Sequence, residues 1–332
     1  ARFNDNLYLD GLISITLEAA KELVKSEGSL SLDSLTLITS GVAKELAKSR
    51  GLSLDGLKSI TPEVAKELAT TKMWDLSLNG LKSITPEIAK GLANFKGSIL
   101  YLNGLTSITA GVAKELAKIE LQEEPRCICI NGTLYLNGLT SITVDVAEEL
   151  SNLVGLLSLD GLKSVDIKTA QTLSSVRWWE SLASITPDVA REVINQAGRN
   201  QRIDFKNLSI ISPEVAWELA KFEGRDLYLN GLTLITPEVA RELAKSKSTI
   251  LYLNGLTSID LVTAKELAQF EGYMLVLDGL KSVSLEIMKE LANFSGYLWI
   301  THLGSVTPET IQILMDKSNK VNLYFHSLND IS

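Results

Sequence analysis

Apolar residues recur along the chain in one short pattern, which residues 227–244 show clearly. Leu227 and Leu229 flank Tyr228, and this alternation predicts a short β-strand with one buried face. Asn230 and Gly231 then end the strand, at a turn where glycine tolerates a positive φ. An apolar stripe at helical spacing follows and predicts an amphipathic helix. The pattern therefore predicts a repeating unit of one strand and one short helix.

The start of the helix carries its own signal. Thr236 is placed as an N-cap, Pro237 stands at the first helical position and Glu238 lies near the positive helix end. The same three-residue chemistry recurs at Thr61-Pro62-Glu63, Thr85-Pro86-Glu87, Thr186-Pro187-Asp188, Ser212-Pro213-Glu214 and Thr307-Pro308-Glu309.

Copies of this unit fill nearly the whole chain at steps of about 24 residues. Such a period predicts one solenoid rather than several globular domains. We therefore expect a single array over residues 1–332, with a parallel sheet on one face, short helices on the other, and about fourteen repeats. The leucine after each turn marks the copies, at Leu12, Leu35, Leu57, Leu81, Leu105, Leu139, Leu162, Leu182, Leu208, Leu232, Leu256, Leu280, Leu303 and Leu328.

The Leu-x-Leu strand, the further core Leu and Ile residues and the helical segment resemble a leucine-rich repeat over about residues 6–328. The chain departs from the commonest consensus, because Leu stands where that consensus has an inward-facing Asn, and Asp or Asn comes earlier, before Gly. The Leu-Thr-Ser-Ile block is similar to the shorter bacterial repeat types, often found in secreted or cell-surface proteins. The resemblance implies an α/β solenoid that is used for binding. It implies no particular partner.

Three places break the pattern. One step of 34 residues places an insertion near residues 120–133, where Asn131-Gly132 is a hairpin signal. A functional loop and a tolerated surface insertion are both open there. A step of 20 residues predicts an irregular repeat near 174–182, with one of Trp178 and Trp179 in the core and the other facing out. Neither end shows the polar cap that solenoids usually need, so either the chain is part of a longer array or its ends pack against other copies. The second possibility suggests end-to-end assembly as an alternative role.

The residue between the two strand leucines lies on the exposed face of the predicted sheet. Its C-terminal members are mostly aromatic, and we take Tyr228, Tyr252, Val276, Trp299 and Tyr324 as the candidate ligand-binding residues. The alternative is that these side chains only favour strands and pack across them. The earlier members of this column are Tyr8, Ser31, Ser53, Ser77, Tyr101, Tyr135, Ser158, Trp178 and Asp204.

A second column, at the strand ends, is rich in Asp and Asn. Asp10, Asp33 and Asp55 could hold a hard cation such as calcium, but we favour a hydrogen-bonded ladder that involves the following turn glycine. His302 and His326 are the only histidines, and we expect both to be exposed polar residues.

The sequence shows little catalytic chemistry. No nucleophile elbow, phosphate loop or metal-ligand cluster stands out, so we expect no enzyme, no cofactor and no metal. Cys127 and Cys129 are too close on an extended segment to bridge without strain. Trp217 replaces the usual exposed Lys or Arg of the helix and is a candidate contact with another chain or domain.

Charge and hydropathy narrow the class of partner. The net charge is −8, which argues against a nucleic-acid partner, and no apolar run approaches the ~20 residues of a membrane span. We therefore expect a binding scaffold for a protein, peptide or glycan, with further copies of the chain as the alternative partner. The repeat type favours a secreted or cell-surface location.

Overall fold

The computed structural model describes residues 6–26, 28–70, 73–122, 132–174, 176, 178–198, 202–303, 307–316 and 321–322. The chain divides into two compact units, Ala1–Trp178 and Trp179–Ser332. The predicted single array over 1–332 stays a prediction. The insertion near 120–133, with Cys127 and Cys129, falls mostly on residues 123–131, outside the described residues.

Short strands alternate with short helices in both units. The strands are β1 (Leu7–Tyr8), β2 (Leu30–Ser31), β3 (Leu52–Ser53), β4 (Asp75–Ser77), β5 (Ile99–Tyr101), β6 (Thr133–Tyr135), β7 (Leu156–Ser158), β8 (Ile203–Asp204), β9 (Asp226–Tyr228), β10 (Ile250–Tyr252), β11 (Met274–Val276), β12 (Tyr297–Trp299) and β13 (Val321–Asn322). The helices are α1 (Leu17–Leu23), α2 (Ser40–Leu46), α3 (Pro62–Leu68), α4 (Pro86–Leu92), α5 (Ala110–Leu116), α6 (Val144–Leu150), α7 (Ile167–Thr172), α8 (Pro187–Ala197), α9 (Pro213–Leu219), α10 (Pro237–Ala244), α11 (Leu261–Leu267), α12 (Leu285–Leu291) and α13 (Pro308–Asp316).

Each unit contains one parallel sheet in which strands follow the order of the chain. β1 to β7 form the sheet of the first unit, and β8 to β13 form that of the second. The register aligns equivalent positions of successive repeats, so that Leu227, Leu251 and Leu275 lie side by side and are buried. This stacking removes from water the apolar face that one repeat could not bury alone. The predicted parallel α/β repeat architecture is confirmed.

The predicted helix caps are confirmed as well. Thr61, Thr85, Thr186, Ser212 and Thr236 have extended backbones, and each side chain accepts a hydrogen bond from the third helical residue. Asp166 and Asp260 cap α7 and α11 in the same way. These bonds satisfy backbone donors that a helix start leaves without an intrahelical partner. None of the described helices has the length and apolar content that crossing a bilayer requires.

The turn glycines serve a different purpose from the one predicted. A positive φ was expected at these turns, but among the described glycines only Gly155 and Gly198 adopt one. A Cβ at Gly104 would instead collide with the carbonyl oxygens of Asn79 and Leu81 in the preceding repeat. Glycine is required there because the backbones of successive turns approach closely.

The irregular repeat also corrects an expectation. Trp178 and Trp179 are both buried, at 0% and 4% exposure, whereas one of them was expected to face out. No strand is assigned among the described residues between α7 and α8. The alternation that turns every second strand side chain outward therefore does not apply, and both large apolar rings leave solvent.

Candidate binding interface

Four of the five candidate residues lie in register on neighbouring strands of the second unit. Tyr228, Tyr252, Val276 and Trp299 occupy equivalent positions on β9 to β12. At the usual spacing of parallel strands, the backbone positions of Tyr228 and Trp299 are about 14 Å apart. The rings of Tyr228 and Tyr252 stack with their centroids 4.0 Å apart and their planes at 11°. Side-chain packing within the stack holds both rings in place.

Two candidate positions differ from the expectation of an open column. Val276 is only 4% exposed, because the small side chain lies in register between the larger Tyr252 and Trp299. The register pairs Trp299 with Asn322 of β13, two residues before Tyr324. Tyr324 itself lies outside the described residues, as does His326. The accessible aromatic part of the column is therefore Tyr228, Tyr252 and Trp299.

A second column runs beside the first on the same sheet face. It consists of residues two positions earlier in each repeat, which share the face because strand side chains alternate. Its members are Arg202, Asp226, Ile250, Met274 and Tyr297. We call the two columns together the aromatic face.

Further contacts extend the aromatic face. The Arg202 guanidinium lies 5.7 Å from the centroid of the Tyr228 ring, within cation–π range. Tyr273, just before β11, is half exposed, and its ring centroid lies 4.8 Å from that of Tyr297. The sequence prediction considered only the residue between the two strand leucines, so it missed this second column and Tyr273. The two-residue period of the strand was the signal that could have found the column.

The surroundings of Tyr252 disfavour ionisation of its phenol. Burial, followed by the neighbouring hydroxyl of Tyr228, raises the pKa of Tyr252 well above its ordinary value, and the charge of Asp226 acts in the same direction. Arg225 lies beside that carboxylate, with its Nε 3.8 Å from Asp226 Oδ1. At neutral pH the face therefore presents an uncharged Tyr252 phenol, near the side chains of Asp226, Arg225 and Arg202.

The equivalent face of the first unit is more polar. Its first column holds one stacked pair, Tyr101 and Tyr135, with ring centroids 4.8 Å apart. Most of its other members are serines whose hydroxyls donate to the Asp or Asn column of the preceding repeat, as from Ser53 to Asp33 at 2.6 Å and from Ser77 to Asp55 at 2.7 Å. These hydroxyls bond one repeat to the next, so they are less available for hydrogen bonds to a ligand.

The Asp and Asn column forms a ladder between repeats. In the first unit Asp55 Oδ1 accepts the backbone N–H of Asn79 at 2.8 Å, and Asn79 Oδ1 accepts that of Asn103 at 2.8 Å. In the second unit Asp278 Oδ1 accepts the N–H of Thr301 at 2.8 Å. The ladder was predicted, but its donor is the next repeat's backbone rather than the following glycine.

The alternative for the Asp and Asn column was a site for a hard cation such as calcium, and the described part of the chain gives it no support. It contains no group of three His, Cys, Asp or Glu side chains placed to hold a metal ion. His302 is exposed, and its Nδ1 lies 2.9 Å from the hydroxyl of Thr301.

Comparison with known proteins shows which fold the chain has. No protein-family model matches the chain, and neither does any curated protein sequence. Among solved structures, a chain of the Toll–Spatzle complex from Drosophila aligns over 97% of this chain with a TM-score of 0.51 and 14% identity. The alignment covers 43% of that chain, so this protein spans less than half of its length. With the parallel strands and short helices, this likeness confirms the predicted leucine-rich-repeat fold.

More distant matches have the same repeat type. Internalin C2 from Listeria monocytogenes aligns over 92% of this chain and 91% of its own, with 17% identity and a TM-score of 0.28. A structure of a TLR13–ssRNA13 complex aligns over 90% of this chain and 39% of its own, with 16% identity and a TM-score of 0.36. The expectation that nucleic acid is no partner of this chain stays a prediction.

Proposed function

We propose that this leucine-rich-repeat chain is a non-catalytic binding scaffold that holds a peptide or an extended protein segment on the aromatic face of its second unit. The observation that carries the proposal is the composition of that face. Tyr228, Tyr252 and Trp299 stand in register, with Met274 and Arg202 in the adjacent column. Tyr, Trp, Met and Arg are the residue types enriched in protein interfaces.

The scaffold favours such binding because its face is organised in advance. Parallel strand bonds fix the backbone, and the stacked tyrosines have little rotamer freedom left to lose when a ligand binds. Less entropy is therefore lost on association. An extended peptide advances about 3.3 Å per residue, so a segment of about five residues covers the distance from Tyr228 to Trp299.

The same face favours a peptide over a glycan. Met274 places an accessible aliphatic side chain beside the aromatic rings, which suits apolar side chains. Arg202 and Asp226 supply one positive and one negative group for the polar ends of a peptide backbone or side chain. A glycan partner remains the other outcome of the test.

The test is a paired screen followed by matched variants. The wild-type chain would be screened against a displayed library of peptides longer than about five residues and against a glycan array. Hits would then be measured with a Tyr252→Ala, Trp299→Ala double variant. We expect enriched peptides whose affinity falls by about tenfold or more, because buried aromatic anchors contribute most of an interface's binding energy.

The first unit supplies the control. Tyr101→Ala with Tyr135→Ala removes an equivalent stacked pair and should leave peptide affinity unchanged. Circular dichroism and thermal unfolding of both variants would establish that each one is folded. Peptides that bind the second-unit variant as tightly as the wild type, or hits confined to glycans, would contradict the proposal.

End-to-end assembly of copies is the alternative function. It rests on the absence of polar caps from the repeat pattern, and a measurement of size against concentration distinguishes it from the binding function.

A further inference from the structure

Arg50 and Trp74 form an exposed stacked pair where β3 and β4 begin. The guanidinium carbon of Arg50 lies 3.8 Å from the centroid of the Trp74 ring, within cation–π range. The backbones are joined as well, because the N–H of Trp74 donates to the carbonyl oxygen of Arg50 at 2.6 Å. Stacking occupies one flat face of the guanidinium and leaves the N–H groups at its edge available for other partners.

The second unit has an arginine at the same position of the repeat, but in different surroundings. Arg225, like Arg50, stands two residues before the first strand leucine of its repeat. Asp226 follows Arg225, and Arg225 Nε lies 3.8 Å from Asp226 Oδ1. Gly51 follows Arg50, so no acid stands at the equivalent place. The first unit therefore gives its arginine an aromatic ring, whereas the second unit gives its arginine a carboxylate.

No acid among the described residues forms an ion pair with Arg50. The residue after Trp74 is Asp75, and burial raises the pKa of its carboxyl. A bonded guanidinium has the opposite effect, as Arg241 lowers the pKa of Glu266. Asp75 is therefore no partner of Arg50. A shortage of acids is not the reason, since the chain has 40 acidic side chains and 32 lysines and arginines.

The stacked pair has the features of an interface anchor. Trp74 is 39% exposed, and Arg50 is exposed as well. Trp and Arg are among the residue types that contribute most of the binding energy in protein interfaces. The stack also restricts the guanidinium, so less side-chain entropy is lost when a ligand bonds it. An ordered base without an acid of its own is thus prepared to bind an anion from outside the chain.

We propose that Arg50, held on the Trp74 ring, is a binding site for a carboxylate of a partner protein. The planar guanidinium donates two N–H bonds to the two oxygens of an Asp or Glu side chain of the partner. The exposed part of the indole offers apolar surface to the methylene groups of that side chain. This site lies in the first unit and is independent of the proposed peptide binding on the aromatic face of the second.

The ligand arm of the test compares two side chains of the same shape. Nα-acetyl-glutamate methylamide and its neutral glutamine analogue would each be titrated into the full chain at constant ionic strength. The indole N–H signal of Trp74, followed by nuclear magnetic resonance, reports binding, and a Trp74→Phe variant assigns it among the five tryptophans. We expect a saturable shift with glutamate at roughly 10–100 mM, as one charge-assisted contact allows, and none with glutamine. An equal response to both ligands, or no saturable shift with glutamate, overturns the proposal.

The protein arm uses variants of the two equivalent arginines. Arg50→Gln should abolish the response to glutamate, because both the charge and the planar fork are lost. Arg50→Lys keeps the charge without the fork and should bind glutamate several-fold more weakly. Arg225→Gln removes a charge at the same repeat position and should leave the response unchanged. Circular dichroism and thermal unfolding would establish that each variant is folded.

Each variant can contradict the proposal. A wild-type response in Arg50→Gln would refute the site outright. Wild-type affinity in Arg50→Lys would mean that any positive charge suffices, and an equal loss in Arg225→Gln would mean that the response reflects only the overall charge of the chain. Either result overturns the assignment. The glutamine comparison and Arg50→Lys decide the question if Arg50→Gln does not fold.

Discussion

At the scale of single residues, side chains bond one repeat to the next, and Asp55 is the clearest case. It accepts bonds from the Asn79 backbone N–H at 2.8 Å and from the Ser77 hydroxyl at 2.7 Å. Asp55→Ala leaves both partly buried donors without an acceptor. We expect it to lower the free energy of unfolding by about 1–3 kcal/mol, as measured by denaturant titration.

The Asp55→Asn variant is the matched control. Asparagine keeps an acceptor oxygen, and Asn79 and Asn103 serve the same ladder in the next repeats. We therefore expect Asp55→Asn to remain close to the wild type in stability. An alanine variant as stable as the wild type would mean that water replaces these bonds without loss.

The sequence predicted which residue types form this ladder, but it did not predict their hydrogen-bond donors. An Asp or Asn before glycine is a known cap, so a ladder was predicted, but the following glycine was named as the partner. The true donor belongs to the next repeat, as with Asn79 and Asp55. The distance between strands cannot be read from one repeat. The burial of Val276 could not be predicted for the same reason, because it depends on larger rings from neighbouring repeats.

At the scale of elements, substitution of the turn glycines shows how closely the backbones of successive repeats approach each other. An added methyl group at Gly104 would meet two carbonyl oxygens of the preceding repeat, whereas nothing lies within 4 Å of one at Gly11. Gly104→Ala should lower the free energy of unfolding by about 1–3 kcal/mol, in the range of overpacked sites. Gly11→Ala holds the same repeat position and should be nearly neutral.

Thermal and chemical unfolding of the two glycine variants would check this expectation. Hydrogen exchange adds spatial detail, because each repeat packs on its immediate neighbours. We expect lost protection to centre on β4 to β6 in Gly104→Ala. Equal stability of Gly104→Ala and Gly11→Ala would show that the turn can separate without cost, and that close approach is not why glycine is needed.

The starts of single helices could be predicted from the sequence in physical terms. Thr-Pro-Glu places a cap, a fixed φ and an acid at known helix positions, and the helices α3, α4, α8 and α10 begin where it predicts. The buried phenylalanines after the helices were not anticipated. Phe270 and Phe294 pack with centroids 5.9 Å apart in the return to the strand, a segment expected to be polar.

At the scale of the whole molecule, the sequence predicted the order of the parallel sheets because repetition leaves few other arrangements. Equivalent leucines can share one core only if successive strands pair in the same direction. The location of the candidate interface was harder to predict. The aromatic face depends on two columns of side chains that come into register only when the strands of successive repeats pair.

Self-association separates the two functions considered for the whole chain. A binding scaffold with a net charge of −8 repels its own copies, so we expect one sedimenting species as concentration rises. Sedimentation velocity at low and at physiological ionic strength would test this, because 0.15 M salt reduces the screening length to about 8 Å. Mass that grows with concentration at both ionic strengths would favour assembly over the binding scaffold. A mass that grows with concentration only at physiological ionic strength would mean that charge repulsion alone keeps complementary surfaces apart.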